Sequence, residues 1–514
     1  MSIQLIQRAI RFERRIALVC GQQSYTYKQL LNISQIWASG LRYCLQKETL
    51  SQERITFLCP PGLAYVGLQW AVWQLGGVAV PLCTTHPLSE LLYVIRDSGA
   101  AACIVVTPDF SDQLAQISAA VSGEAVRIFS LSDIEAATGD ITSRLPFAEA
   151  DDLFFQPAMI LYTSGTTGKP KGVVLTHQNL NAQITCLVAA WRWTADDYIL
   201  HFLPLHHTHG IVNKLCCALW VGATVEMLPK FEAGMVWQRL QRGGVRVFMA
   251  VPTIYSLLIR HFEQGTDIEQ QQWRAACREL RLMVSGSAAL PVSVWQRWRA
   301  ISGHCLLERY GMTEIGMALS NSYEDKGRVP GFVGKPLPGV SVKIVDEVSG
   351  QMIDAEGVAG ELWVKGDNVF LGYWNKPDET EKVFCEGWFR TGDMVLTSEN
   401  MFKIVGRLST DIIKTGGYKV SALEIEDVLL MHPNIVECAV VGVPDDLWGE
   451  RVGAAIIGKN GVLLTLEEVR NFATQYLGAY KLPSLLLNVA QLPRNAMGKI
   501  TKAAVREFFL QAGK

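Results

Sequence analysis

The sequence predicts an α/β protein. It reads as a large N-terminal domain of layered βαβ sheets with a β-rich subregion, followed by a smaller, mobile α+β C-terminal domain. Three observations predict this. Short apolar strands such as RITFLCP (54–60), AACIVV (101–106), ATVEMLP, VRVFMAVP and LRLMVSG alternate with helical patterns, which implies covered sheets built from βαβ units. Past about residue 340 the texture changes to strand, Gly-rich turn, strand, as in VSVKIVDEVSGQMIDAEGVAGELWVKG. The polar run RLSTD (407–411) then separates two apolar segments and reads as a hinge. The domains are therefore expected at 1–408 and 412–514, with the hinge at 409–411.

Along the chain, SIQLIQRAIRFERRIAL carries Arg and apolar residues at helical spacing. A first helix is favoured over a targeting peptide because GQQSYTYKQLL follows directly as turn, strand and helix start. YVGLQWAVWQLGGVAVPL (65–82) is interrupted by Gln69, Gln74 and Gly76-Gly77. It reads as a buried helix running into a strand, not a membrane span. VPTIYSLLIRHF (251–262) is a loop entering a helix. After the hinge come the helix SALEIEDVLLMH, the strands VECAVVGVP and RVGAAIIG, and a helix over 465–479. Thr465 with Glu468 gives that last helix a capping box.

Composition excludes several classes. The chain has 514 residues, 49% of them hydrophobic, and 47 Lys plus Arg against 49 Asp plus Glu. No basic tract invites a nucleic-acid partner, and no stable membrane association is expected. The 12 Cys are scattered without a CxxC pair, as in a protein with reduced thiols. No secretory signal is evident, and the chain reads as cytoplasmic. Oligomeric state is left open.

The segment ILYTSGTTGKPKG (160–172) gathers small hydroxylated residues beside two lysines. Gly165, Gly168 and Gly172 let the backbone turn, Thr163, Ser164, Thr166 and Thr167 offer hydroxyl donors, and Lys169 and Lys171 add charge. Such a turn suits phosphates, with a plain surface turn as the alternative. It is not the mononucleotide P-loop, because the glycine spacing differs and Pro170 follows Lys169.

This stretch resembles the signature loop of the adenylate-forming superfamily, which includes the acyl-CoA synthetases. ERYGMTE (308–314), GELWVKGDNVFLGYWNKPDET (360–380), WFRTGD (388–393), Gly406-Arg407 and PRNAMGK (493–499) agree with it in order, so the resemblance covers essentially the whole chain. It implies ATP, Mg²⁺ and CoA as reactants or cofactor, with a small carboxylic acid as substrate. An acyl-adenylate forms first, and a thiol then displaces AMP.

The resemblance also implies roles. Residues Thr163 to Gly168 with Lys169 and Lys171 would hold the β- and γ-phosphates, and Thr313 the α-phosphate. Glu314 would hold Mg²⁺, Gly286, Ser287, Ala288 and Tyr310 would flank adenine, and Asp393 would take the ribose hydroxyls. Arg407 would assist at ribose and phosphate, and Lys499 would be the catalytic lysine of the small domain. Gly416 and Gly417 would pass close to the pantetheine thiol in a second domain pose. Ser409, Thr410 and Asp411 stand where many relatives carry Lys or Asp soon after Gly-Arg, so the pivot is open within 409–411.

LPLHHTHGIVN (203–213) resembles the loop that carries the family's gating residue, with His207 in that place. Its three His lack a neighbouring carboxylate or Cys, which disfavours a metal. Arg309 is the residue that bears on the acid. An Arg beside an acyl pocket is costly to bury unless paired, and a second substrate carboxylate would pair it. ERYGMTE together with RVPGFVGKPLPGV (328–340) resembles the malonyl-CoA synthetase branch. Malonate is therefore expected, with methylmalonate as its near alternative. A monocarboxylate ligase, or a module that loads a carrier protein, stands against it. So does a purely structural pairing of Arg309 with Glu308.

Overall fold

The computed structural model describes residues 4–137, 153–163, 169–495 and 498–512. Two large sheets dominate the N-terminal part. One has seven strands, in the order Gly372–Tyr373, Lys171–Thr176, Pro157–Thr163, Val78–Pro81, Arg54–Leu58, Ala102–Val105 and Arg127–Ser130. The other has nine and runs in parallel from Ile16–Cys20 through Thr224–Met227, Tyr198–His201, Val247–Ala250 and Leu282–Ser285 to Leu307–Met312. Parallel strands need helical crossovers, and these cover both faces. The central strand sequences are accordingly mostly apolar, as in VFMA (247–250) and LMVS (282–285), each fully buried.

The helix Leu63–Gln74 follows the same logic. It is buried on every side, including Gln69 and Gln74, so it shows no polar face. The first helix, Gln4–Ile10, buries Leu5, Ile6 and Ala9. The β-rich subregion is an antiparallel sheet of Ser341–Val345, Gly360–Lys365, Phe384–Cys385, Trp388–Ser398 and Met401–Arg407. The chain thus has the expected architecture of a large mixed α/β part followed by a smaller α+β part.

The C-terminal part has its own sheet, made of Ile412–Thr415, Tyr418–Ser421, Ile435–Asp445, Gly449–Gly458 and Leu485–Asn488. Its core gathers Ile413, Ile425, Val440, Ile456 and Val469. The capping box at Thr465 is formed, but the helix spans only Leu466–Ala473 and stops short of 479. The Thr474 hydroxyl bonds back to Asn471 O at 2.9 Å, and a single tight turn follows at Ala479–Lys481. Amphipathic spacing beyond Ala473 therefore does not continue the helix. Among the described residues no helix is long and apolar enough to cross a membrane.

Candidate active site

The site lies beyond the carboxyl ends of the parallel strands of the nine-stranded sheet, the usual place for ligands in such sheets. Leu282–Ser285 pairs with Leu307–Met312, so the residues that follow each strand meet. Gly286 and Ser287 follow the first, and Thr313 and Glu314 occupy the turn after the second. Strand alternation sends Glu308 and Arg309 to opposite faces. Glu308 accepts from the Gly331 amide at 3.0 Å. Arg309 is 3% exposed and donates from Nη2 to Ser287 Oγ at 3.2 Å. The pairing of Arg309 with Glu308 is thus not made.

Arg309 has no carboxylate partner among the described residues, and its Nε and Nη1 lack any acceptor. Burial lowers its guanidinium to about 9. Gly286 makes room for it, since a Cβ there would lie 2.6 Å from Arg309 Cζ. Ser287 sits in the left-handed region, φ 73°, and its hydroxyl also meets His209 Nδ1 at 3.1 Å. Such backbone strain is commonly found at functional sites.

His209 begins a wide helix of i→i+5 spacing, His209–Cys216, which runs into the α-helix Cys217–Val221. Wide turns of this kind recur at functional sites. This one carries His209, Asn213 and Lys214 into the interior. The Asn213 amide atoms, His209 Nε2 and the Ser285 hydroxyl have no hydrogen-bond partner. Lys214 Nζ donates to Met249 O at 2.9 Å and lies 4.2 Å from the Phe202 ring centre. Burial pushes the Lys214 ammonium well below its ordinary value. His209 is also pushed well down, first by burial and then by Arg309 and Lys214. The region therefore holds several buried polar groups without partners.

The rings of His206 and His207 lie with centres 4.1 Å apart, tilted by 52°, and the ring centre of His86 stands 6.0 Å from that of His206. Burial and His86 lower His207 to about 4, so it is neutral near pH 7. Among the described residues no group of three or more His, Cys, Asp or Glu is arranged to hold a metal ion.

Residues expected at the nucleotide form a second cluster. Tyr310 donates to Asp393 Oδ2 at 2.6 Å. Arg407 holds the same carboxylate through Nε at 2.7 Å and Nη2 at 3.1 Å. Asp393 and Arg407 face each other across adjacent strands. The two acceptor oxygens of Asp393 are thus oriented, with lone pairs left over. Glu314 is buried, which raises its carboxyl, and it accepts from the Tyr373 hydroxyl at 3.0 Å.

The phosphate loop joins two antiparallel strands in register at Thr163 and Lys171. Ser164, Gly165, Thr166, Thr167 and Gly168 lie outside the described residues. Lys171 Nζ is 2.6 Å from Glu379 and 5.0 Å from the Tyr373 ring centre. It is therefore already paired. Lys169 Nζ stands 5.6 Å from the Tyr93 ring centre. Ala288 is exposed beside Ser287.

In the C-terminal part, the described residues on either side of Ala496-Met497 pair through Asn495 N to Lys499 O at 2.9 Å and Thr501 N to Pro493 O at 2.9 Å. The Lys499 side chain is exposed, and its ammonium faces Arg407, Asp411 and Asp393. Surrounding protein and Arg407 lower it, against the pull of Asp411 and Asp393. Lys499 is thus within electrostatic reach of Arg407 and Asp393. Gly416 and Gly417 form the turn between Ile412–Thr415 and Tyr418–Ser421, both at positive φ, with Gly416 packed on Trp448.

Sequence reading did not assign Asn213 or Lys214 to the site. The signal was present as a Lys inside the apolar run GIVNKLCCALW (210–220).

Comparison with known proteins agrees with this geometry. The family model described as AMP-binding enzyme matches residues 5–374, and that of its C-terminal domain matches 424–499. The human mitochondrial malonate–CoA ligase ACSF3 is 46% identical over 99% of this chain and 92% of its own length. A malonate–CoA ligase of Arabidopsis thaliana is 42% identical over 96% of this chain and 86% of its own. The ATP-bound crystal structure of MatB from Rhodopseudomonas palustris superposes with a TM-score of 0.88 at 33% identity, with full coverage of both chains. The apo form of that relative gives 0.78. The chain belongs to the AMP-binding enzyme family, the adenylate-forming acyl-CoA synthetases, on the branch that holds the malonate–CoA ligases.

Proposed function

We propose that the protein joins malonate to CoA at the expense of ATP, through malonyl-adenylate, releasing AMP and pyrophosphate. The observation that carries the acid is the buried Arg309 guanidinium with Nε and Nη1 unpartnered. An unpaired buried charge costs several kcal/mol, and a carboxylate with hydrogen bonds offsets that cost. A dicarboxylate offers one carboxylate to Arg309 and leaves the other to react. The names of the relatives point the same way.

Asp393 presents lone pairs to ribose hydroxyls, and Arg407 and Lys499 supply positive charge beside the reacting phosphate and carboxylate. Thr313 donates to the α-phosphate from the turn it shares with Glu314. The Glu314 carboxylate, oriented by Tyr373, suits Mg²⁺, which would neutralise phosphate charge when bound. Lys169, Lys171 and the hydroxyls of 163–167 hold the departing pyrophosphate, and Lys171 exchanges Glu379 for it. The similarity to an ATP-bound relative supports reading this as the adenylation pose. Rotation about 409–411 then brings the Gly416-Gly417 turn to the thiol of CoA.

The test is a panel of dicarboxylates and monocarboxylates with ATP, Mg²⁺ and free CoA. Malonate and methylmalonate lead the panel, and one methyl separates them by only about 1–3 kcal/mol. A preference for a fatty acid refutes the Arg309 argument. Pyrophosphate exchange without thioester on free CoA indicates a carrier-loading module instead.

A further inference from the structure

Lys502 lies three residues after Lys499, at the first position of the last helix, Lys502–Ala512. Its Nζ stands 2.7 Å from Asp411 Oδ1 and 2.8 Å from Glu426 Oε1. The three side chains are only 14–16% exposed. Asp411 is the last residue of the hinge run. Its other oxygen, Oδ2, accepts from the Arg407 amide at 3.0 Å, while the Asp411 amide donates to Arg407 O at 2.8 Å. The turn 407–411 is therefore closed on itself through the Asp411 side chain. Its main chain is also tied forward, by Ala422 N to Asp411 O at 2.8 Å. Gly406 is what permits this: a Cβ there would lie 2.7 Å from Asp411 Cβ.

We propose that Asp411 and Lys502 are positioning residues that couple the hinge turn to the segment of Lys499, so that closing 407–411 sets Lys499 on the nucleotide. One carboxylate grips the hinge with Oδ2 and Lys502 with Oδ1. Glu426 supplies the second anchor for Lys502 from the helix Ala422–Leu429. The ionisation balance is consistent with this geometry. Burial pushes the Asp411 carboxyl up, and Lys502 more than reverses it. Burial also raises Glu426, against Lys502. Lys502 meanwhile stays above its ordinary value despite burial, because both carboxylates face it. Neither residue touches substrate. Their effect passes through Lys499 and is confined to the pose in which Arg407 and Lys499 share the nucleotide.

The proposal rests on the ligase reading, and the two fail differently. If none of the acids tested supports pyrophosphate exchange by the wild-type protein, the ligase reading falls. The coupling is tested by variants, using the acid that wild type activates. Lys502→Met and Asp411→Asn are assayed in two half-reactions: pyrophosphate exchange, and thioester formation from added acyl-adenylate with CoA. A displaced catalytic group costs about 10- to 100-fold, so exchange falls by that factor. Thioester formation stays within about threefold, since that half does not use Lys499. Lys502→Arg recovers most of the exchange. In a Lys499→Ala background, Lys502→Met causes no further loss of single-turnover adenylation, because both act through one group. Equal falls in both half-reactions, no fall in either, or a full additional loss in the Lys499→Ala background each overturn the coupling. Should Lys502→Met fail to fold, Asp411→Asn carries the same test, because it keeps the shape of the turn and an oxygen for the Arg407 amide.

Discussion

Replacing Gly286 by alanine tests the acid site with one methyl group. Gly286 is not at a positive φ, so alanine suits the backbone. The added Cβ, however, would lie 2.6 Å from Cζ and Nε of Arg309 and 2.8 Å from Nη1, where ordinary contact begins near 3.4 Å. The guanidinium must therefore retreat by about 0.8 Å, the difference between 3.4 and 2.6. It is buried and held only through Ser287, so it moves as a unit away from the acyl space. A displacement of that size costs about 30- to 100-fold in kcat/KM for malonate, or about 2–3 kcal/mol. The assay is steady-state thioester formation with malonate and ATP varied separately. The loss is expected in malonate, with KM for ATP within about threefold of wild type. Full activity on malonate refutes the reasoning, as does a parallel rise in both KM values.

Other expectations follow from the same geometry. Arg309→Leu removes the cation outright, so malonate use falls by about three orders of magnitude, while a short monocarboxylate gains relative to it; competition between the two acids measures the switch. Burial pushes Glu308 up to about 8, above its unfolded value of about 4.3. The native state therefore keeps a proton that the unfolded state loses. That stabilisation is complete below about pH 4.3 and is lost as pH rises through about 8. Glu308→Gln keeps an oxygen for the Gly331 amide, so its melting temperature falls less than wild type between about pH 6 and 9; parallel curves contradict this. Tyr373→Phe removes the donor to Glu314 at 3.0 Å. The Mg²⁺ concentration needed for half-maximal exchange then rises about tenfold, because the carboxylate proposed to hold the ion loses the hydroxyl that orients it.

Much of the fold was legible because its central strands are short, apolar and buried, a pattern that ends abruptly at turn residues. VFMA and LMVS could hardly be anything else between helices. The 465–479 helix was overdrawn because amphipathic spacing persisted past Ala473, where a Thr hydroxyl and a 3₁₀ turn take over. The acid site was legible only in part. Arg309 sits in a motif, but His209, Asn213 and Lys214 meet on a wide helix whose period differs from 3.6, so helical spacing does not group them. Ser287, expected beside adenine, also bonds Arg309 and His209 through its hydroxyl, which no sequence spacing indicates. The pairs Lys171–Glu379 and Lys502–Asp411 bring together residues distant in the chain, and no local pattern announces them.

The unpartnered polar groups on and near Arg309 also bear on folding. Arg309 Nε and Nη1, His209 Nε2, Asn213 and Ser285 are all buried without partners in the free protein. Each such group costs about 1–3 kcal/mol while it waits. An anion that fills the space returns part of that cost to the native state alone. The acid is then a folding ligand as well as a substrate, and at a hundred times its dissociation constant it adds about 2.7 kcal/mol of stability. Malonate should therefore raise the melting temperature without ATP or CoA. On the proposed function, a supply of the acid thus adds to the fraction of protein that stays folded.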